Sequence, residues 1–236
     1  MRASWVGLAA MTLAMLAGCQ SPPKAHPREL TLSSPYPDVR TFAVAPAQNL
    51  SGMPTVDVLR ISDTVFSELQ QVEGLEVLPV NKTLQVMQKL NLRRIDSVAA
   101  AQRVAGQLGV DALVVPVITE YDPYRPPVVG MVLQLYTPGV PEPAAGPTAR
   151  DITGSELQPA TQAYAAQPVS TVTAVFNASN QSVLRELHAF AEGRTDYGSA
   201  LQEDQFLDDQ DAYVRFVAHA MVARLMEVER ARLADR

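Results

Sequence analysis

One thiol is available for chemistry in this chain. Cys19 is the only cysteine, and it follows Leu16-Ala17-Gly18 at the end of the apolar run Val6–Leu16. Two small residues before a cysteine, with Arg2 upstream as a positive n-region, make the pattern of a lipobox. There the thiol takes a diacylglycerol, a peptidase cuts before Cys19, and the freed amine is acylated. The apolar run is far short of the roughly 20 residues that a spanning helix needs, so it reads as an export signal. An ordinary signal peptide would leave an unpaired thiol in an oxidising compartment, whereas lipidation accounts for it. Two or three acyl chains, at about 0.8 kcal/mol per buried CH₂, anchor a protein without help from its fold. Gln20 stands where the enterobacterial inner-membrane sorting pattern has Asp, which points to the periplasmic face of the outer membrane.

The other residue types that do chemistry do not assemble into a motif. His26 sits in a proline-rich stretch, and His188 and His219 fall on separate helical segments with no H-x-x-x-H or H-E-x-x-H spacing, so all three read as surface residues. Glu203, Asp204, Asp208, Asp209 and Asp211 cluster before the last helix. The alternation and glycine of a calcium loop are missing there, and a solvated loop whose last carboxylates favour the helix N-terminus is the reading. Asn49-Leu50-Ser51 matches a glycosylation sequon, but beside a lipobox Asn49, Ser51 and Gly52 are better taken as turn chemistry. No nucleophile elbow, phosphate loop or dinucleotide fingerprint occurs. The expectation is therefore no catalytic residue, no metal and no cofactor. A formal charge of −6 without a basic cluster argues against nucleic acid as partner.

These residues need a scaffold to hold them. Residues 20–40 carry five prolines and little periodicity, so 19–40 is expected to be a lipidated tether. Thr41–Ala47 is a β-branched and aromatic run, a first strand with its exit turn at 48–52. Val58, Ile61, Val65, Phe66 and Leu69 recur at helical spacing from about Thr55 to Gln71, and Leu75–Val80 alternates as a second strand. This βαβ unit should cross over right-handed to a parallel pair. Asn81 caps a helix with Leu84, Met87 and Leu90, and Asp96 or Ser97 caps another that Gly109 stops. Asp111–Tyr121 is the most continuous apolar run of the mature chain, a strand buried on both faces, with a bulge expected at Pro116.

The string TFAVAPAQNLSG, a helix, LEVLPV, two short helices and LGVDALVVPVITEYD resembles the α/β domain shared by the curli-secretion lipoprotein CsgG, the penicillin-binding-protein activator lipoproteins and the N-terminal domain of TolB. The likeness covers roughly residues 41–122, with Pro116 where that group often has Gly. It implies a non-enzymatic envelope module that binds other proteins.

Past residue 122 a proline-stiffened turn leads to Val128–Tyr136, a strand folding back antiparallel, with Gly130 as a candidate bulge. Thr137–Gln167 has almost no bulky residues and is expected to be a flexible excursion. Pro168–Ala178 returns as a strand. One helix carries Val183, Leu187 and Phe190 and ends at Gly193; a longer one carries Tyr213, Phe216, Val217, Met221, Leu225 and Val228. The fold expected is a mixed sheet of about five strands with a βαβ start, covered by helices, with a long C-terminal helix, as a single domain over 41–234. Phe42, Val44, Leu113, Val115, Phe190 and Phe216 should be core. Three functions remain open: a lipid-anchored adaptor or activator working through protein contacts, a subunit of an oligomeric outer-membrane channel that uses the strands at 128–136 and 169–177, and a hydrolase with unrecognised residues.

Overall fold

The computed structural model describes residues 31–138, 167–192, 194 and 204–235. The lipobox, the tether up to residue 30, residues 139–166, Gly193 and Glu203 lie outside the described residues.

The sheet is mixed and has six strands. Its order is β3 (Leu75–Leu78), β1 (Arg40–Val44), β4 (Ala112–Asp122), β5 (Val128–Tyr136) and β6 (Ser170–Asn177), with the short β2 (Gln48–Asn49) also pairing with β4. The expected βαβ start is present. β1 leads through α1 (Val58–Gln70) to β3, which lies parallel to it with Phe42 opposite Val77. From β3 the chain passes through α2 (Val80–Lys89) and α3 (Val98–Leu108) to β4, parallel to β1 on its other side. β5 and β6 then continue the sheet antiparallel.

Local chemistry sets the helix ends. The Asp57 carboxylate accepts from the Arg60 amide at 3.0 Å and starts α1. Ser97 does the same for α3 through the Ala100 amide. Gly109 ends α3 in the left-handed conformation at φ 70°, which costs a glycine little. Asn81 does not cap α2: the helix begins two residues earlier than such a cap would set it, with Pro79 in the cap position and no side-chain bond. A proline there loses nothing, because the first amides of a helix have no internal partner.

Two sequence expectations about strands are corrected by pairing geometry. The bulge is not at Pro116, which stands in register opposite Leu133; the register shifts between Ile118 and Glu120. Peptide groups alternate sides along β4, and those of Val114 and Ile118 face the β1–β2 side, where they accept from Ala45 and Leu50 at 2.8 Å each. Pro116 therefore turns its missing N–H to the gap between β1 and β2, where no ladder bond is lost. The extra residue of the bulge lies on β4, and Gly130 of β5 makes room for it. A Cβ at Gly130 would fall 2.6 Å from Thr119 Oγ1 and 2.9 Å from Glu120 Cβ.

Two apolar layers cover the sheet. On the first face Phe42, Val44, Val114, Met131, Leu133 and Phe176 meet α1, α4 (Gln181–Glu192), α5 (Asp204–Asp208) and α6 (Gln210–Ala234). Phe216 is the hub there, edge-on to Phe176 at 5.5 Å and tilted against Phe190 at 5.6 Å. On the second face Ala43, Leu113, Val115 and Tyr136 meet α2 and α3, whose contact residues are mostly Ala and Val. All six expected core residues are buried, with Leu113 and Val115 on the second face and the other four on the first. Each fully buried side chain of this size contributes about 1.5–3 kcal/mol.

Residues 31–40 are not a free spacer. Leu32 and Tyr36 pack on the first core, Ser33 bridges Glu73 in parallel, and the Glu73 amide donates to Leu32 O at 2.8 Å. The tether reading is thus too long at its C-terminal end, because two apolar side chains among the prolines find cover.

Candidate functional site

The crevice where α/β sheets usually hold small ligands lies at the C-terminal ends of β1 and β4, since α1 carries the chain from β1 to β3 over one face and α2 and α3 return it past β1 to β4 over the other. Here the chain itself fills it. The Ala47 amide donates to Ser62 Oγ at 2.8 Å, the Gln48 side-chain amide donates to Ile95 O, and Leu50 rejoins β4. Asn49, Ser51 and Gly52 close this segment as a turn. Asn49 Oδ1 accepts from the Ser51 amide at 3.1 Å and hydroxyl at 2.7 Å, Asn49 Nδ2 donates to Met53 O, and Gly52 takes φ 79°. Leu16, Ala17, Gly18 and Cys19 lie outside the described residues, as does His26.

His188 is exposed on α4 beside Glu192 at 3.2 Å, but His219 is not a surface residue. It is buried in α6, with Nδ1 3.0 Å from Oε2 of the fully buried Glu68 of α1. A carboxylate has no hydrogen to give, so Nδ1–H donates. Arg194 Nη2 comes within 3.4 Å of the same nitrogen and acts on Glu68 through its charge. Arg215 Nε and Gln71 Nε2 donate to Glu68 Oε1 at 3.2 Å each. Burial alone would raise the Glu68 pKa; the His219 bond and charge and the Arg215 bond outweigh it and hold the carboxyl below its ordinary value. Sequence reasoning missed this group. The available signal was that Glu68 falls seven residues after Ile61, on the apolar stripe of α1.

A cleft of about 590 Å³ opens beside Glu68, between α1 and the start of α6, with Thr64, Ser67, Arg194 and Arg215 among its lining. Nucleophilic catalysis would need a hydroxyl on the free side of His219. Among the described residues the hydroxyls that line the cleft bind backbone instead: Thr64 donates to Arg60 O at 2.9 Å and Ser67 to Asp63 O at 2.8 Å. The Phe190 ring lies 5.1 Å from the imidazole. The described acidic residues nearby are engaged as well. Arg125 pairs with Asp204 and Asp208, Arg60 pairs with Asp211, and Asp209 caps α6 by accepting from the Asp211 and Ala212 amides. Glu68 is thus a fixed joint between α1 and α6.

A second buried glutamate makes a similar joint near the end of α6. Glu229 accepts from the Tyr36 and Ser170 hydroxyls, and from Arg232 at 2.8 and 2.6 Å. Burial pushes its pKa up, and the bonds from Arg232, Ser170 and Tyr36 bring it below the ordinary value. Tyr36 moves the opposite way: burial and Glu229 raise its phenol. The joint clamps the entering segment, α6 and the start of β6 together.

What is left open is the far side of the sheet. β6 is the last strand, and alternation from the β4–β5 and β5–β6 registers directs the peptide groups of Thr171, Thr173 and Val175 away from β5. Among the described residues no backbone group pairs with them. Among the described residues the second face is also uncovered here, because α2 and α3 reach no farther than Tyr136 at the end of β5. Thr171, Thr173, Val175 and Asn177 are exposed on it, with Val175 at 52%, next to the half-buried Val132 and Gln134. No charged residue and no proline occurs in β6. Native edge strands are ordinarily blunted by one or the other.

No protein-family model and no curated protein matches the chain. Among solved structures it is similar to the lipoprotein GNA1162 of Neisseria meningitidis, at 14% identity and TM-score 0.40 over 63% of this chain and 90% of that one. It is also similar to the C-terminal domain of LpoB from Salmonella enterica, at 10% identity and TM-score 0.40 over 59% and 84%. A third is a PelC dodecamer from Paraburkholderia phytofirmans, at 11% identity and TM-score 0.34 over 79% and 86%.

Proposed function

We propose that this chain is a lipid-anchored protein of the bacterial cell envelope that works without catalysis, as an adaptor or assembly module, and that the β6 edge with the open half-sheet beside it is its contact surface. The observation that carries the reading is the bare edge itself: an eight-residue strand, uncharged and free of proline, that the described chain leaves unpaired. Lipidation at Cys19 would place the fold at the periplasmic face of the outer membrane. The entering segment docks beside Glu73, just ahead of β3. Four strand spacings, roughly 19 Å, then separate the anchored edge from β6 and turn the contact edge away from the tether.

The resemblance of residues 41–122 to the CsgG, activator-lipoprotein and TolB group fits this reading, and protein partners of the envelope follow from it. The channel alternative would require β5 and β6 to leave the sheet, yet both are paired along their length and lie under α6. The test joins two measurements. Mass spectrometry of the mature N-terminus should find an acylated Cys19, and Cys19→Ser should block processing. Pull-down of the full chain from envelope extract should lose its specific partners when Val175→Lys is introduced. An N-terminus other than Cys19 would sink the anchor, and partners kept by Val175→Lys would sink the contact surface.

A further inference from the structure

We propose that the occupant of the β6 edge is β6 of a second copy of this chain, paired antiparallel about a two-fold axis so that two sheets become one. This rests on the reading of β6 as the contact strand and names its partner.

An antiparallel pair sets a strand against its own reverse, so a self-pairing strand must be compatible with itself at every cross-strand position. β6 is. With Ala174 on the axis, Thr173 faces the second copy's Val175 and Thr171 faces its Asn177. These are the residues whose N–H and C=O groups point outward, so each pair can exchange ladder bonds. Their side chains stand on the open face and carry no charge, so the formal charge of −6 brings no like-charge pair to this seam. On the helix-covered face the residue at the axis is the smallest of the strand. Ala174 is half-buried while Val172 and Phe176, its neighbours on that face, are buried. A small residue there leaves room where the two first-face layers approach each other. The Ala174 peptide faces β5, so Ala174 meets its copy as a non-hydrogen-bonded pair with Cα atoms about 4.5 Å apart. That spacing accepts a disulfide.

The experiment uses the full chain in its envelope. Under mild oxidation Ala174→Cys should give a disulfide-linked dimer as its major species, while the unsubstituted chain and Lys82→Cys, exposed on α2, should give none. A photo-crosslinking benzophenone side chain placed at Val175 covers the case in which Ala174→Cys fails to fold. It should yield an adduct of twice the chain mass. An adduct of any other mass overturns the self-pairing and leaves the contact-strand reading standing. No adduct at Val175, together with no disulfide at Ala174→Cys, overturns both.

Discussion

At one edge of the sheet β3 offers four residues that include Glu76, stops before Pro79, and follows Glu73, to which Leu32 and Ser34 are already hydrogen-bonded. At the other edge β6 offers eight residues with neither charge nor proline, and its outward peptide groups meet nothing among the described residues. The first edge is short and carries a charge, and the entering segment pairs with the backbone of Glu73 just ahead of it, while Glu229 ties that segment to α6 and to the start of β6. The second has kept its hydrogen-bonding capacity. Since exposed, uncharged edges invite association, a sequence that guards one edge and leaves the other bare distinguishes a structural end from a docking end.

The largest effect is expected at the joint that holds the entering segment to α6. Glu229→Ala leaves Arg232 and the Tyr36 and Ser170 hydroxyls without their shared acceptor, and should cost about 3–5 kcal/mol in denaturant melts. A loss under about 1 kcal/mol would mean that the entering segment is not locked. The same lock gives a pH signature. Both Glu229 and Glu68 titrate below their ordinary 4.5 in the folded chain, so their contribution is complete above about that pH and falls away as pH drops through the depressed folded values. The Glu229→Gln variant should therefore lose less stability between pH 5 and pH 3 than the parent does.

Tyr36→Phe is a gentler loosening of the same joint. It removes one donor from a carboxylate that keeps three others, and should cost about 1.5 kcal/mol, measured by the same melts. Faster amide exchange at Glu73, whose N–H donates to Leu32 O, should accompany it. Exchange unchanged there would separate the Tyr36 joint from the pairing of its segment with Glu73.

At the bare edge the expected stability effect is the smallest and the functional effect the greatest. Val175→Lys exchanges one exposed side chain for another, so the fold should change by no more than about 0.5 kcal/mol. Association should be lost all the same, read as a fall to monomer mass by light scattering in detergent. A loss of stability comparable to that of Glu229→Ala would show that Val175 belongs to the interior.

Much of this architecture was legible in the sequence because it depends on local periodicity. The alternation in Leu75–Leu78, the helical stripe Ile61, Val65, Leu69 and the glycine after Leu108 each act within a few residues, and they marked β3, α1 and the end of α3. What escaped depends on partners distant in sequence. The bulge at Thr119 follows from the β4–β5 register and from Gly130 opposite, which Pro116, though the more conspicuous residue, does not influence. His219 was taken for a surface residue because it lies beside the main stripe of α6. That helix is buried on more than one side, and α1, 151 residues earlier, brings Glu68 against it. Glu68 and Glu229 themselves occupy stripe positions, seven residues after Ile61 and Val222. A carboxylate at such a position was the one sequence signal for both joints. Nothing local marked β6 as an edge, since strand order is a property of the whole chain.

The most direct measurement is residue-resolved hydrogen exchange of the full chain in detergent across a hundredfold range of protein concentration. The outward amides of Thr171, Thr173 and Val175 should become protected as concentration rises, while the amides of Leu75–Leu78 at the opposite edge stay unchanged. Protection at Thr171, Thr173 and Val175 that is the same at every concentration, or that appears at Leu75–Leu78 instead, would contradict the assignment of β6 as the docking edge.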